Sequence, residues 1–256
     1  MLPHSKGKAA ALVEATRTAH RRLMSAFGEW LKALDDCPGW REWNRAKISR
    51  TLNHDDPSFE PGPYPPIFKF PGDLEKQHAA IMGYLMLSTS LQSLRDCEYY
   101  FRRYPFHGLP VSKPMHLRYV CEMYFSRVFE FRERLTKCVK AMNETIAPQA
   151  VRTIELVNAF RSEFRREINA RNSIHHDEHF DDLAIDNLNL TNVMIEDADV
   201  KTWWRKRNKR GYRRATIEWA RRVRERSQMI EVYLEEVASM MLTHCDYLTE
   251  PREAAR

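Results

Sequence analysis

The chain is expected to form an all-α antiparallel helical bundle. Three observations predict it. Apolar residues return at three- and four-residue steps along five segments, only 8 glycines occur in 256 residues, and most of the 13 prolines fall between those segments. Apolar side chains at that spacing line one face of a helix, and several such faces can be hidden from water only against each other.

The first segment, 9 to about 34, carries Leu12, Ala15, Ala19, Leu23, Ala26, Trp30 and Ala33 on one stripe, and Cys37-Pro38-Gly39 ends it. Trp40, Trp43 and Ile48 follow on a short helical piece. Six prolines between 53 and 72 exclude a helix there, so this stretch reads as a loop held to a surface by Phe59, Tyr64, Phe68 and Phe70. His54-Asp55-Asp56, ahead of the prolines, reads as a turn with aspartate as an Asx-type cap. Residues 1–72 are thus expected to be an N-terminal extension, and residues 73–256 the main bundle.

Asp73 is the expected N-cap of the next helix, with Tyr84, Leu87, Leu91, Leu94 and Phe101 on its seam as far as Pro105. After the Pro105–Pro114 connection, Leu117, Cys121, Tyr124, Val128, Phe131, Leu135, Cys138 and Met142 alternate steps of four and three. Pro148 suits the first turn of a third helix with Ile154, Val157, Phe160, Phe164 and Ile168 inward, and its seam reaches Arg171 and His175 if it continues. Residues 182–200, rich in Asp and Asn, read as an irregular insertion with one short hairpin. The last helix is expected from about 212 to 248, with Ala220, Val223, Ile230, Leu234, Val237 and Met241 inward.

Several function classes are disfavoured by pattern alone. No glycine-rich phosphate loop occurs, and no window approaches the roughly 18 uninterrupted apolar residues of a membrane span. Cys37, Cys97, Cys121, Cys138 and Cys245 form no C-x-x-C pair, and their odd number fits small core residues in a reducing cytoplasm. The net charge of +6 is unevenly spread: 12 cations against 2 acids between Lys201 and Arg226 give +10 there and leave −4 for the remainder. Trp203, Trp204 and Tyr212 lie among those cations. Aromatic faces beside positive charge suit a single-stranded nucleic acid, so Lys201, Trp203, Trp204, Arg205, Lys206, Arg207, Lys209, Arg210, Arg213 and Arg214 are the expected contacts.

Arg171-Asn172-Ser173-Ile174-His175-His176 combines a permanent cation, a carboxamide and an imidazole. Arginine stabilises charge on phosphate, and histidine moves protons near neutrality. This run resembles the R-x4-6-H motif of HEPN domains, with Arg171, Asn172 and His176 at the matching positions and His175 supporting. The resemblance extends over about residues 73–248. It implies a homodimer whose two motifs share one cleft, an RNA partner, an antitoxin or regulatory protein, and, in active members, metal-independent endoribonucleolytic cleavage in toxin or antiviral systems. Here His176 would exchange the proton of the ribose 2′-hydroxyl or of the leaving oxygen, Arg171 would hold the charge on phosphorus, and Asn172 would orient either group. No cofactor or metal is expected. A catalytically silent dimerisation or RNA-binding module is the alternative within the same resemblance.

A different alternative comes from the same stretch. His175, His176, Asp177, Glu178, His179, Asp181 and Asp182 crowd potential metal ligands, and His176-Asp177 resembles the central dyad of HD phosphohydrolases. In that scheme His107 or His116 and Asp199 would complete the set.

Overall fold

The computed structural model describes residues 5–60, 62–63, 66–107, 110–146, 153–176, 180–195 and 201–248, leaving out the side chains of 5–18, Thr153, His175 and Lys201. The fold is all-α. Helix α1 spans Ser5–Ala33 and passes into a 3-10 turn at Leu34–Asp36. It is followed by α2 Trp40–Leu52, α3 Asp73–Arg102, α4 Lys113–Asn143, α5 Thr153–Glu163, α6 Arg165–His175, α7 Leu183–Met194 and α8 Lys201–His244. No strand occurs among the described residues, so the hairpin expected within 182–200 is absent from its described part, 182–195.

The backbone divides into two compact units. One comprises Met1–Met82, Val139–Val151 and Glu235–Arg256; the other comprises Gly83–Cys138 and Arg152–Leu234. In the first, Leu23, Ala26, Phe27 and Trp30 of α1 are buried, as are Val139, Met142, Val237 and Met241. Glu235 accepts a hydrogen bond from the His20 backbone N–H at 3.0 Å, and Trp30 donates to Gln77 at 2.9 Å. Gly39, at φ 78°, makes the left-handed turn between the 3-10 segment and α2. The proline-rich loop is held as expected by Phe68 and Phe70, which pack on Trp40, while Trp43 donates its indole N–H to the Pro66 carbonyl at 2.6 Å. Phe59 is half-buried, and Tyr64 lies outside the described residues. The Asx turn is present, with Asp56 accepting from the Ser58 backbone and hydroxyl.

The second unit carries the predicted seams. Tyr84, Leu87, Leu91, Leu94 and Phe101 of α3 and Leu117 through Cys138 of α4 are buried, as are Ala220, Val223, Ile230 and Leu234 of α8. Gly83 lets α3 approach α4 closely, since a β-carbon there would lie 3.1 Å from Cys138 Cα. None of the five cysteines is in a disulfide, and all are buried.

Four expectations in this unit need correction. The third helix breaks at Phe164 (φ −101°, ψ 22°), although Phe164 N–H bonds Phe160 and Ile168 N–H bonds Phe164, so the register continues from α5 into α6. Ile154, expected on the seam, is 75% exposed, whereas Phe160, Phe164 and Ile168 are buried. Pro148 lies outside the described residues. The stretch read as an irregular insertion contains α7: Asp182 accepts from the N–H groups of Ala184 and Ile185, and Ile185, Leu188 and Thr191 are buried at three-residue intervals. Helix α8 begins at Lys201, eleven residues before the expected start, and runs straight through Gly211. Glycine suits that position because a β-carbon would meet Leu188 Cδ2 at 3.2 Å. Asn208 secures the same crossing by donating to Leu188 O and Thr191 Oγ1.

Candidate nucleic-acid interface

The early start of α8 turns the basic stretch into one helical surface. Gly211, Ala215 and Trp219 recur on the inward stripe with Asn208, leaving Arg205, Lys206, Arg207, Lys209, Arg210, Arg213 and Arg214 exposed. Among the described residues none of these seven cations forms an ion pair. The cations farther along α8 are engaged differently. Arg221 pairs with Glu218 and Glu225, Arg222 lies 3.9 Å from Glu218, Arg224 pairs with Glu98, and Arg226 pairs with Glu163 and Glu167. The charge excess therefore separates into a structural half, neutralised within the fold, and an N-terminal half with its field directed to solvent.

Trp203 is 53% exposed and packs edge-on against half-buried Trp204, their ring centres 4.4 Å apart. The Arg207 guanidinium lies 5.3 Å from the Trp203 ring centre and 5.8 Å from that of Trp204. An open indole face beside a guanidinium offers stacking and charge together. Tyr212 belongs to the structural set instead. It packs on Tyr104 beneath the Lys113 ammonium, and burial, helped by Tyr104, pushes its phenol up to about 12. The Lys201 side chain lies outside the described residues.

The Arg171–His176 run forms the C-terminal half of α6. Arg171 is half-buried, with its guanidinium 4.0 Å from the Phe129 ring centre and a long 3.4 Å hydrogen bond to Asn172 Oδ1. The guanidinium can follow the seam inward because the planar cation covers a ring and is not sunk in aliphatic core. His176 is the C-cap of α6. Its side chain is exposed, and its backbone N–H bonds Asn172 O and Ser173 O. The side chain of supporting His175 lies outside the described residues.

Two cavities adjoin α5 and α6, sharing Ser162 and Arg165 in their walls. The larger, about 790 Å³, sets Arg165, Arg166, Arg222 and Arg226 against Glu163, Glu167, Asp181 and Asp182. Its charges balance. The smaller, about 410 Å³, is lined by Arg132, Arg161 and Arg165 with Asn158, Asn169 and Asn172, plus Ser162 and Ile168, and no carboxylate is among them. Asn172 is the one residue of the predicted motif in this wall. Arg171 meets the cavity indirectly, since Arg132 covers the same Phe129 ring at 4.1 Å. The motif thus brings Asn172 beside three arginines that motif reasoning passed over. Arg161 and Arg165 were findable: with Asn158, Ser162, Asn169 and Asn172 they follow three- and four-residue steps, a polar stripe beside the apolar one, whereas Arg132 comes from another helix.

Arg226 holds the break between α5 and α6. It donates from Nε to Glu167 Oε1 at 2.7 Å and from Nη2 to Glu167 Oε2 at 3.1 Å. It also donates to the Glu163 side chain and carbonyl, and its guanidinium lies 4.1 Å from the Phe164 ring centre.

The metal-ligand scheme loses two members to structural tasks. Asp182 caps α7, and buried His116 uses Nε2 toward the carbonyls of Tyr100 and Arg103, acceptors that require a proton on that nitrogen. Asp177, Glu178, His179 and Asp199 lie outside the described residues, among which no group of three or more potential metal ligands occurs. No helix among the described residues is long and apolar enough to cross a membrane. No family model matches this chain, and no curated protein and no solved structure matches it.

Proposed function

We propose that this protein binds RNA along the exposed start of α8 and, as a homodimer, cleaves it without a metal at paired Arg171–His176 motifs. The observation that carries the binding half is the ion-pair pattern: seven exposed cations without a carboxylate partner among the described residues, on the same helix as four that have one. Unneutralised charge next to an open indole attracts phosphate chains and releases their counterions. For cleavage, His176 would exchange the proton of the 2′-hydroxyl or of the leaving 5′-oxygen, and Arg171 would hold the charge that grows on the phosphorane oxygens. Dimerisation would supply each cleft with two imidazoles, one for each proton transfer. DNA has no 2′-hydroxyl and would be held uncut.

The Arg171 guanidinium lies over Phe129 and bonds its neighbour Asn172, an arrangement that also suits a silent RNA-binding module. End-labelled RNA incubated in excess EDTA separates the two. Cleavage that survives chelation and disappears in Arg171→Ala and His176→Ala supports the enzyme. Cleavage unchanged in both variants refutes the assignment, and intact RNA with binding retained leaves the module. Binding itself is read by fluorescence anisotropy against salt. Neutralising Arg205, Arg207 and Arg210 together should flatten the log–log salt slope by about 2.

A further inference from the structure

The 410 Å³ cavity beside α5 and α6 has a composition that defines its ligand. We propose that it binds the phosphomonoester of a nucleotide, supplied either as a free nucleoside monophosphate or as the phosphorylated end of an RNA strand. The second source rests on the RNA-binding reading; the first does not.

Charge comes first. Arg161 and Arg165 are exposed at the wall and form no ion pair among the described residues. Arg132 is the anchored member: its side chain is 19% exposed, it rests on Phe129, and it shares its charge with Glu133. Two free guanidiniums and one partly neutralised match a group carrying about −1.5 to −2, which is a phosphomonoester near pH 7. A phosphodiester carries only a single charge. Arginine also fits phosphate oxygens in pairs, where lysine acts as a point charge.

Size and polarity come next. A volume of about 410 Å³ lies within the range of small-molecule sites and exceeds what a phosphate alone needs. Asn158, Asn169 and Asn172 offer carboxamides that both donate and accept, as ribose hydroxyls and base edges require. Ile168, 4% exposed, contributes the apolar surface. These groups stay aligned because hydrogen bonding continues through Phe164, so one polar stripe crosses the helix break. The larger cavity lacks this bias, since its arginines face an equal number of carboxylates.

Calorimetry on the full chain tests the proposal with the four nucleoside 5′-monophosphates, the matching nucleosides, inorganic phosphate, and one RNA octamer with and without a 5′-phosphate. At least one monophosphate or the phosphorylated octamer should bind, with its unphosphorylated counterpart at least tenfold weaker. Arg161→Gln and Arg165→Gln should each weaken that binding about 10- to 100-fold, with the helical circular dichroism signal unchanged. Preference confined to the octamer names the RNA end as the source, and preference confined to the mononucleotides names the free pool. Equal binding of phosphorylated and unphosphorylated forms, or full affinity in both variants, overturns the pocket assignment. The hydroxyl-ended octamer reports separately on the α8 surface: its affinity should fall on neutralising Arg205, Arg207 and Arg210 and hold in the pocket variants.

Discussion

Arg226→Met tests how the helix break beside the candidate site is held. In the native fold Arg226 and Glu167 form two parallel hydrogen bonds, and their side chains are only 18% and 10% exposed. Methionine keeps most of the packing against Phe164 but withdraws the charge. The remaining contact of Glu167 is the Tyr124 hydroxyl at 3.4 Å, a weak donor at that length. The Glu167 carboxylate is then buried without a compensating cation, and breaking a buried pair in this way costs about 3–5 kcal/mol. In a chain of this length each kcal/mol lowers Tm by about 2 °C. Glu167→Leu added to Arg226→Met removes the stranded carboxylate and should restore stability to within about 1–2 kcal/mol of wild type. Urea unfolding of the three proteins at pH 7 measures all of this. A single variant within about 1 kcal/mol of wild type, or a double variant no more stable than the single one, refutes the buried-pair argument.

Acid should release a second contact. The hydrogen bond from Arg224, joined by Arg102, holds the Glu98 carboxyl below its ordinary 4.5, so its contribution is full above that value and lost as pH falls through the depressed one. The stability gap between wild type and Glu98→Gln should therefore be constant above pH 5 and close below 4.5, and a gap that widens in acid contradicts the pairing. Gly28→Ala in α1, with nothing within 4 Å of the added carbon, should stabilise by about 1 kcal/mol in thermal melts, whereas Gly83→Ala should not, because Cys138 Cα stands 3.1 Å away. Equal gains would mean α3 and α4 yield freely. Burial pushes the Cys97 thiol up to about 12 and also raises Cys121 and Cys245, so Ellman's reagent at pH 8 should react only slowly with native protein and with five thiols after unfolding. Rapid native reaction of these three would contradict the packing.

Periodic burial explains which parts of the fold could be read directly. The α3 and α4 seams, the inward face of α8 and the cysteines in the core were legible because each repeats over several turns and one stripe of a long helix has nowhere else to go. Helix α7 was not. Its inward residues are only Ile185, Leu188 and Thr191 among Asp and Asn, and such composition also describes a loop. The early start of α8 was hidden by Gly211, whose place in a helix makes sense only once Leu188 is seen against it.

The candidate site divides along the same line. Composition and spacing determined that cations concentrate between 201 and 226 and that Arg171, Asn172 and His176 lie within six residues, since both are properties of the chain order. Tertiary structure alone decided that Arg224 and Arg226 are neutralised, because Glu98, Glu163 and Glu167 reach them from distant positions. It also brought Arg132 of α4 to the stripe on α5 and α6, turning scattered polar residues into a cavity with no carboxylate among its described lining residues. Charge acts through space, and only folding assigns each charge its neighbours.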